Sequence, residues 1–369
     1  MKCSFEKADL LEAINIVLKA VPAKTTMPVL ECILIDARTD SILFLANDME
    51  MAIQTTVPGT ILEPGMIAID AKLFSEIARK LPNNEVLITS EETDTVRISC
   101  EKANFRIPAR RGDDFVFLPE VERNDYICIS QFTLKEVVRQ TIFSIAINDN
   151  NKLMTGELFE IRNGVLRVAS LDGHRISLRN VELRDHYADK KVVVPGKTLS
   201  EISRILPGDR DKDVYIFFTN KHILFEFDDT ILVSRLIEGE YFQVDRMISG
   251  DYDTRVMVNK KQLMESIERS ILLVRESDKK PIVMDIRDEE MGLSLTSMIG
   301  SMNEELPVDK DGKDLMIAFN PRFLLDALRV IDDEEVSIYM INAKTPCFIR
   351  DEKESYVYLI LPVNFTAPR

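Results

Sequence analysis

The 369-residue chain is 45% hydrophobic and 30% charged, with 47 Lys and Arg against 62 Asp and Glu and a formal net charge of −15. This is a globular composition with a length suited to about two to four domains, and the acidic balance excludes a protein that coats nucleic acid with its general surface. A basic patch within an acidic body stays open, and five scattered cysteines without a CxxC spacing read as reduced thiols in a cytoplasm-like compartment.

The opening Met1-Lys-Cys-Ser-Phe-Glu meets charge too early for a signal peptide. No apolar run approaches the roughly 18 residues of a membrane span, so a soluble intracellular protein is expected. A short alternating strand at 2–5 then runs into a helix with apolar positions Leu10, Ala13, Ile14 and Val17. Strands are predicted at 41–46 and 52–57, a second helix at 72–82, and further strands at 85–89 and 95–100. The order returns in the middle third, with a strand at 126–129 feeding a helix marked by Leu134, Val137 and Val138. Strands at 157–161 and 166–170, a helix at 197–207 and strands at 213–219 and 222–227 follow. A third round begins at 255–258, with a helix carrying Leu263, Ile267 and Ile271 and strands at 292–296, 335–341 and 356–361.

The second helix of each round is the clearest repeat. Residues 72–82 read KLFSEIARKLP, 197–207 KTLSEISRILP and 322–332 RFLLDALRVID, 125 residues apart each time. Apolar residues recur at i, i+3 and i+7: Phe74, Ile77 and Leu81; Leu199, Ile202 and Leu206; Leu324, Ala327 and Ile331. A second stripe carries a base, an acid four later and a base seven later: Lys72, Glu76 and Arg79; Lys197, Glu201 and Arg204; Arg322, Asp326 and Arg329. The first helices repeat at offsets of 124 and 129 residues. The repeats predict three α+β domains at 1–121, 122–250 and 251–369, each with two amphipathic helices on antiparallel, hairpin-rich sheets. Short joints near 117–121 and 248–252 predict a rigid curved array.

Signals for chemistry are sparse. Pro195-Gly-Lys-Thr198 ends like a phosphate-binding loop, but the motif needs glycine at 191 and the chain has Lys191 after which Val192-Val-Val194 reads as a strand. It reads as a helix start. Asp172-Gly-His-Arg175 reads first as a polar turn whose carboxylate ties down backbone N–H groups. Its repeat counterpart, Asn47-Asp-Met-Glu50, keeps the aspartate and loses the histidine and arginine, so something specific is added in the middle third. The three histidines lack zinc-ligand spacing, and no nucleophile motif is present. No catalytic residue, metal or cofactor is expected. The six helices together carry +5 within a chain of −15. Acid–base pairing on an exposed helix needs no partner, but three matching copies favour a weakly positive lining for phosphate contacts.

Several motifs now fall in one order: Phe5-x4-Leu10, Pro28-Val-Leu30, Asn47-Asp-Met-Glu50, Phe143-Ser-Ile-Ala146, Thr155-Gly-x-Leu-Phe-Glu160, Asp172-Gly-His-Arg175, Val193-Val-Pro195, Leu236-Ile-Glu-Gly239 and Tyr358-x3-Pro362. In this order the chain resembles, over essentially its whole length, the bacterial sliding clamp family, the beta subunit of the replicative DNA polymerase III. The resemblance implies the DNA clamp fold and a head-to-tail homodimer whose six domains form a closed ring, with twelve helices around duplex DNA. It implies a non-catalytic processivity factor, cytoplasmic and nucleoid-associated. The implied partners are double-stranded DNA of any sequence, a second copy, the clamp loader, and replicative and repair polymerases and other proteins with clamp-binding peptides.

For the partner-peptide pocket the resemblance implies Met154, Leu171, Gly173, His174, Arg175, Ile176, Phe242, Arg246, Met247, Leu359, Ile360, Leu361, Pro362 and Val363, with two arginines at the rim. It implies Lys24, Lys72, Arg79, Asn148, Lys152, Lys197 and Arg204 for DNA. For the dimer contact it implies Phe105 and Ile107 against Leu272 and Leu273, beside rim charges at 275–278. The chain departs from the family at Leu171, where threonine is usual, and at Phe115-Val116 and Tyr241-Phe242, where Phe-Pro is expected. A greasier, narrower pocket near Phe242 is the expected result. A clamp-like paralogue that binds polymerase peptides without encircling DNA is the alternative, and a hydrolase using Asp172 and His174 is a distant third.

Overall fold

The computed structural model describes residues 1–91, 94–117, 121–147, 150–275 and 280–365. Among these are six α-helices: α1 (Lys7–Val17), α2 (Ala71–Lys80), α3 (Gln131–Thr141), α4 (Gly196–Ile205), α5 (Lys260–Ile271) and α6 (Pro321–Val330). They occur two to each predicted round. The strands expected at 95–100 and 222–227 are Thr95–Cys100 and His222–Phe227, and the others shift by one or two residues at their ends. The chain forms two compact units, one of residues 1–135 and 200–236, the other of residues 136–199 and 237–369.

The first unit holds a thirteen-stranded sheet running from Tyr126–Ser130 at one end to Thr60–Glu63 at the other. Its fourth and fifth strands are an antiparallel pair, Thr230–Arg235 against Met51–Val57. The Thr55 and Thr230 hydroxyls meet there at 2.9 Å. Strands of the middle third therefore extend the sheet of the first third. The second unit holds a nine-stranded and a four-stranded sheet. In the nine-stranded sheet, Arg175–Glu182 pairs antiparallel with Tyr356–Ile360, placing Ile176 opposite Leu359. This joins the middle third to the last by the same device.

Every apolar residue of the repeated i, i+3, i+7 stripe is buried, from Phe74 at 0% exposure to Ile77 at 6%. The bases on the other stripe are exposed in all three copies. Helix ends are satisfied by side chains: Asp70 Oδ1 accepts from the Leu73 N–H at 2.8 Å, and Asn320 Oδ1 from the Arg322 N–H at 3.0 Å. A further repeat escaped the sequence reading. A lysine on each first helix donates to the carbonyl just past the end of each second helix: Lys7 to Leu81 at 2.6 Å, Lys135 to Leu206 at 3.0 Å, and Lys260 to Ile331 at 2.6 Å. An ammonium there satisfies an orphan carbonyl and opposes the negative helix end.

Candidate functional site

The Asp172 turn is built from its own backbone. Gly173 has φ +85°, which glycine adopts without penalty. Asp172 Oδ1 accepts from the N–H groups of His174 (3.0 Å) and Arg175 (3.1 Å), and Oδ2 accepts from Arg175 Nε at 3.0 Å. The carboxylate is thus engaged in holding the turn, and the His174 ring stacks on Phe323 at 6.0 Å. The last strand docks on the turn, with the Leu361 N–H donating to the His174 carbonyl at 2.9 Å.

Below this turn lies an apolar cluster. Leu171, Ile176, Leu359 and Tyr241 are buried in it, Met154 and Phe242 are half-buried against it, and Met247, Leu361 and Val363 stay exposed. Exposed Arg246, at the end of the short turn Val244–Arg246, and half-buried Pro362 lie in the flanking segments. Five of the pocket residues named from the sequence, Met154, Leu171, Ile176, Phe242 and Leu359, therefore meet in one apolar cluster.

Two others do not sit as expected. Arg175 is not a rim cation: its side chain is 10% exposed. It donates to Asp172, to Asp326 at 2.6 Å and to the Phe143 carbonyl at 2.6 Å, with its guanidinium 4.4 Å from the Phe323 ring centroid. Its donors are spent on holding the turn against α6. Ile360 belongs to the other large core of this unit, because alternate side chains of a strand face opposite ways. At the departures from the family pattern, Leu171 is 4% exposed and Tyr241 meets Phe242 edge-on at 5.6 Å. The Tyr241 hydroxyl donates to the Gly156 carbonyl at 3.4 Å, and burial followed by nearby Glu157 pushes its pKa up.

Glu157 was not singled out in the sequence. It is 0% exposed, and desolvation pushes its pKa up to about 8 against a bond from Thr141 that lowers it. Thr141 Oγ1 lies 2.8 Å from both the Val137 carbonyl and Glu157 Oε2. One hydroxyl proton cannot serve both acceptors, so the pair is satisfied when Thr141 donates to the helix and a neutral Glu157 donates to Thr141. The signal was available: Glu157 shares a strand face with Phe159 and Ile161.

Of the bases assigned to DNA, Lys24, Lys72, Arg79, Lys152, Lys197 and Arg204 are exposed, and Asn148 lies outside the described residues. The acids between the repeated bases differ in use. Glu201 holds Arg204 at 2.6 Å, while Asp326 turns to Arg175.

Family models match the chain in order: DNA polymerase III beta subunit N-terminal domain over residues 1–119, central domain over 128–243 and C-terminal domain over 245–364. The beta sliding clamp of Staphylococcus epidermidis is 31% identical over 375 aligned residues, covering 99% of both chains. The chain belongs to the DNA polymerase III beta subunit family. Solved structures agree. The DNA polymerase sliding clamp of Bacillus subtilis matches with a TM-score of 0.96 at 32% identity, over 99% of this chain and 100% of that one. A candidate DNA polymerase III beta subunit from Eubacterium rectale matches with a TM-score of 0.96 at 62% identity and the same coverage.

For a member of the beta subunit family the remaining surfaces are those assigned to the dimer. Phe105 is 37% exposed and Ile107 only 8%, on a strand (Ala103–Arg111) whose residues 103–108 have a ladder partner on one side only among the described residues. Leu272 is 78% exposed, while Leu273 is half-buried against the core of the second unit. Ser301–Pro307 is one of the two edge strands of the four-stranded sheet. Met298 and Ile299, just before it, are 94% and 52% exposed. Of the expected rim charges, Arg275 is exposed and 276–278 lie outside the described residues.

Proposed function

We propose that the chain works as a DNA sliding clamp: two copies close head to tail around duplex DNA and tether the replicative polymerase, so that processivity comes from topology. The observation that carries this reading is the full-length match to the beta subunit family. Three domains at 1–121, 122–250 and 251–369 supply six to the closed ring. Two one-sided strand edges, 103–108 and Ser301–Pro307, support the closure. Each has exposed apolar residues on it or near it, and joining them between copies removes both edges. Exposed bases at Lys24, Lys72, Arg79, Lys152, Lys197 and Arg204 support phosphate contacts that carry no sequence information. We assign Asn148 to the same surface from the resemblance.

The apolar floor at Leu171, Ile176 and Leu359, with Met154 and Phe242 packed against it, fits one or two hydrophobic anchors of an extended peptide, and we assign exposed Met247, Leu361 and Val363 to its rim from the resemblance. Clamp loader, polymerases and repair proteins would share it. We read the protein as non-catalytic: Asp172 is engaged by backbone and Arg175, and His174 stacks on Phe323, which leaves no acid–base pair at this turn. No helix among the described residues is long and apolar enough to cross a membrane, in keeping with a cytoplasmic, nucleoid-associated role. The groove is tested by Leu361→Asp, an exposed position. Binding of polymerase to the variant should fall at least about tenfold, and unchanged binding would remove the groove from the account. Deleting 359–369 is a poorer test, because Tyr356–Ile360 is an interior strand of the nine-stranded sheet.

A further inference from the structure

The first unit contains a turn that repeats the backbone bonds of the Asp172 turn. Asp48 Oδ1 accepts from the N–H groups of Glu50 (3.0 Å) and Met51 (2.7 Å), as Asp172 does from His174 and Arg175. Met49 takes the left-handed conformation, φ +76°, that Gly173 takes at +85°. The Arg235 N–H donates to the Glu50 carbonyl at 2.9 Å, as Leu361 does to His174, and Ala52 faces Val233 as Ile176 faces Leu359. Residue for residue, Glu50 therefore replaces His174, Val233 replaces Leu359 and Arg235 replaces Leu361.

This second turn borders a cavity of about 260 Å³, with Met49, Met51, Ala52, Val116, Phe117 and Val233 as its apolar lining. Met49 and Phe117 are 41% and 47% exposed, so the lining is open to solvent. The volume is close to the lower end of small-molecule pockets, which begin at about 300 Å³, and suits one or two side chains. Its electrostatics differ from those of the first groove. Arg235 is exposed on the lining beside His222, whose pKa is pushed down by burial and then by Arg235 and Lys221. Arg38 lies over the Phe117 ring at 6.0 Å while bound to Asp36, and the one acid on the lining is exposed Glu50. The Asn47 amide is turned to the backbone, donating to the Val116 carbonyl (3.1 Å) and accepting from the Met49 N–H (2.7 Å). A non-glycine residue at positive φ costs on the order of 1 kcal/mol, and the bonds from the Glu50 and Met51 N–H groups to Asp48 hold Met49 in it.

We propose that this cavity is a second peptide groove, the internal repeat of the first, which takes a short extended segment carrying an apolar side chain next to acidic ones. The peptide chemistry rests on the reading of the first groove; the acidic preference rests on Arg235 standing where the first groove has Leu361. A full-length chain labelled with ¹³C at the methionine methyls separates the two grooves, because Met49 and Met51 report on one and Met154 and Met247 on the other. The probes are two capped tetrapeptides, Leu-Phe-Asp-Asp and Leu-Phe-Lys-Lys. The acidic probe should shift Met49 and Met51 saturably. Arg235→Glu should weaken that binding about tenfold, and Met49→Gly should weaken it without lowering the melting temperature. Shifts at Met154 and Met247 alone would overturn the second groove and leave the first intact. Shifts at Met49 and Met51 alone would support the second without the first. Silence at Met49 and Met51, equal affinity for both probes, or shifts that follow protein concentration without peptide would each overturn the proposal, the last in favour of a second copy as occupant.

Discussion

Glu157 is the residue whose environment most strongly dictates its chemistry. Its unfolded value lies near 4.3 and its folded value near 8, so between these pH values the folded state holds a proton that the unfolded state has released. Stability is fully present below the unfolded value and falls by about 1.4 kcal/mol per pH unit as pH rises through the window, levelling off above the folded value. Glu157→Gln removes this proton linkage. Urea denaturation at pH 5.5 and 8 should show the wild type losing stability relative to the variant at the higher pH, and parallel curves would contradict the assignment. Arg175→Lys should destabilise by roughly 2–4 kcal/mol in the same assay, since one ammonium cannot reproduce three bonds in a fixed fork; a loss under about 0.5 kcal/mol would show that the fork contributes little. At this scale the sequence was only partly legible. The Asp172 turn could be read because an Asx carboxylate two and three residues before free N–H groups is a local device. Arg175 was misplaced because its partners, Asp326 and Phe143, are distant in the chain.

Helices and strands were the most legible level. A 3.6-residue period repeated three times at one spacing leaves little freedom, and Phe74, Leu199 and Leu324 are each fully enclosed. The lysine that ties each first helix to the end of the second was not legible. Lys7 and Lys260 occupy the same repeat position, but the middle copy has Gln131 there and uses Lys135, one turn further along. The displaced Gln131 instead donates to Asp228 at 3.2 Å. Side-chain reach conserves the bond while the register moves, which no comparison of aligned positions detects. Lys260→Met keeps the stem and removes the donor to Ile331. It should cost about 1 kcal/mol in chemical denaturation, and no measurable cost would mean that water replaces the ammonium at that carbonyl.

For the whole molecule, the proposed function depends on closure into a ring. Leu272→Asp is the sharper variant for dimer formation, because Leu272 is exposed whereas Leu273 also packs against its own core. The variant should sediment as a folded monomer, and a dimer of unchanged stability would exclude Leu272 from the contact. Replacing Lys72, Arg79, Lys197 and Arg204 cumulatively should weaken DNA retention step by step, each change lowering the salt slope by about one. Loss confined to one residue would point instead to a specific contact. Topological tethering itself is tested by retention on nicked circular DNA after loading, before and after a single linearising cut. Sliding off the ends should release the protein from linear DNA while the circle keeps it at salt concentrations that abolish ordinary phosphate binding; equal retention on both forms would contradict encirclement.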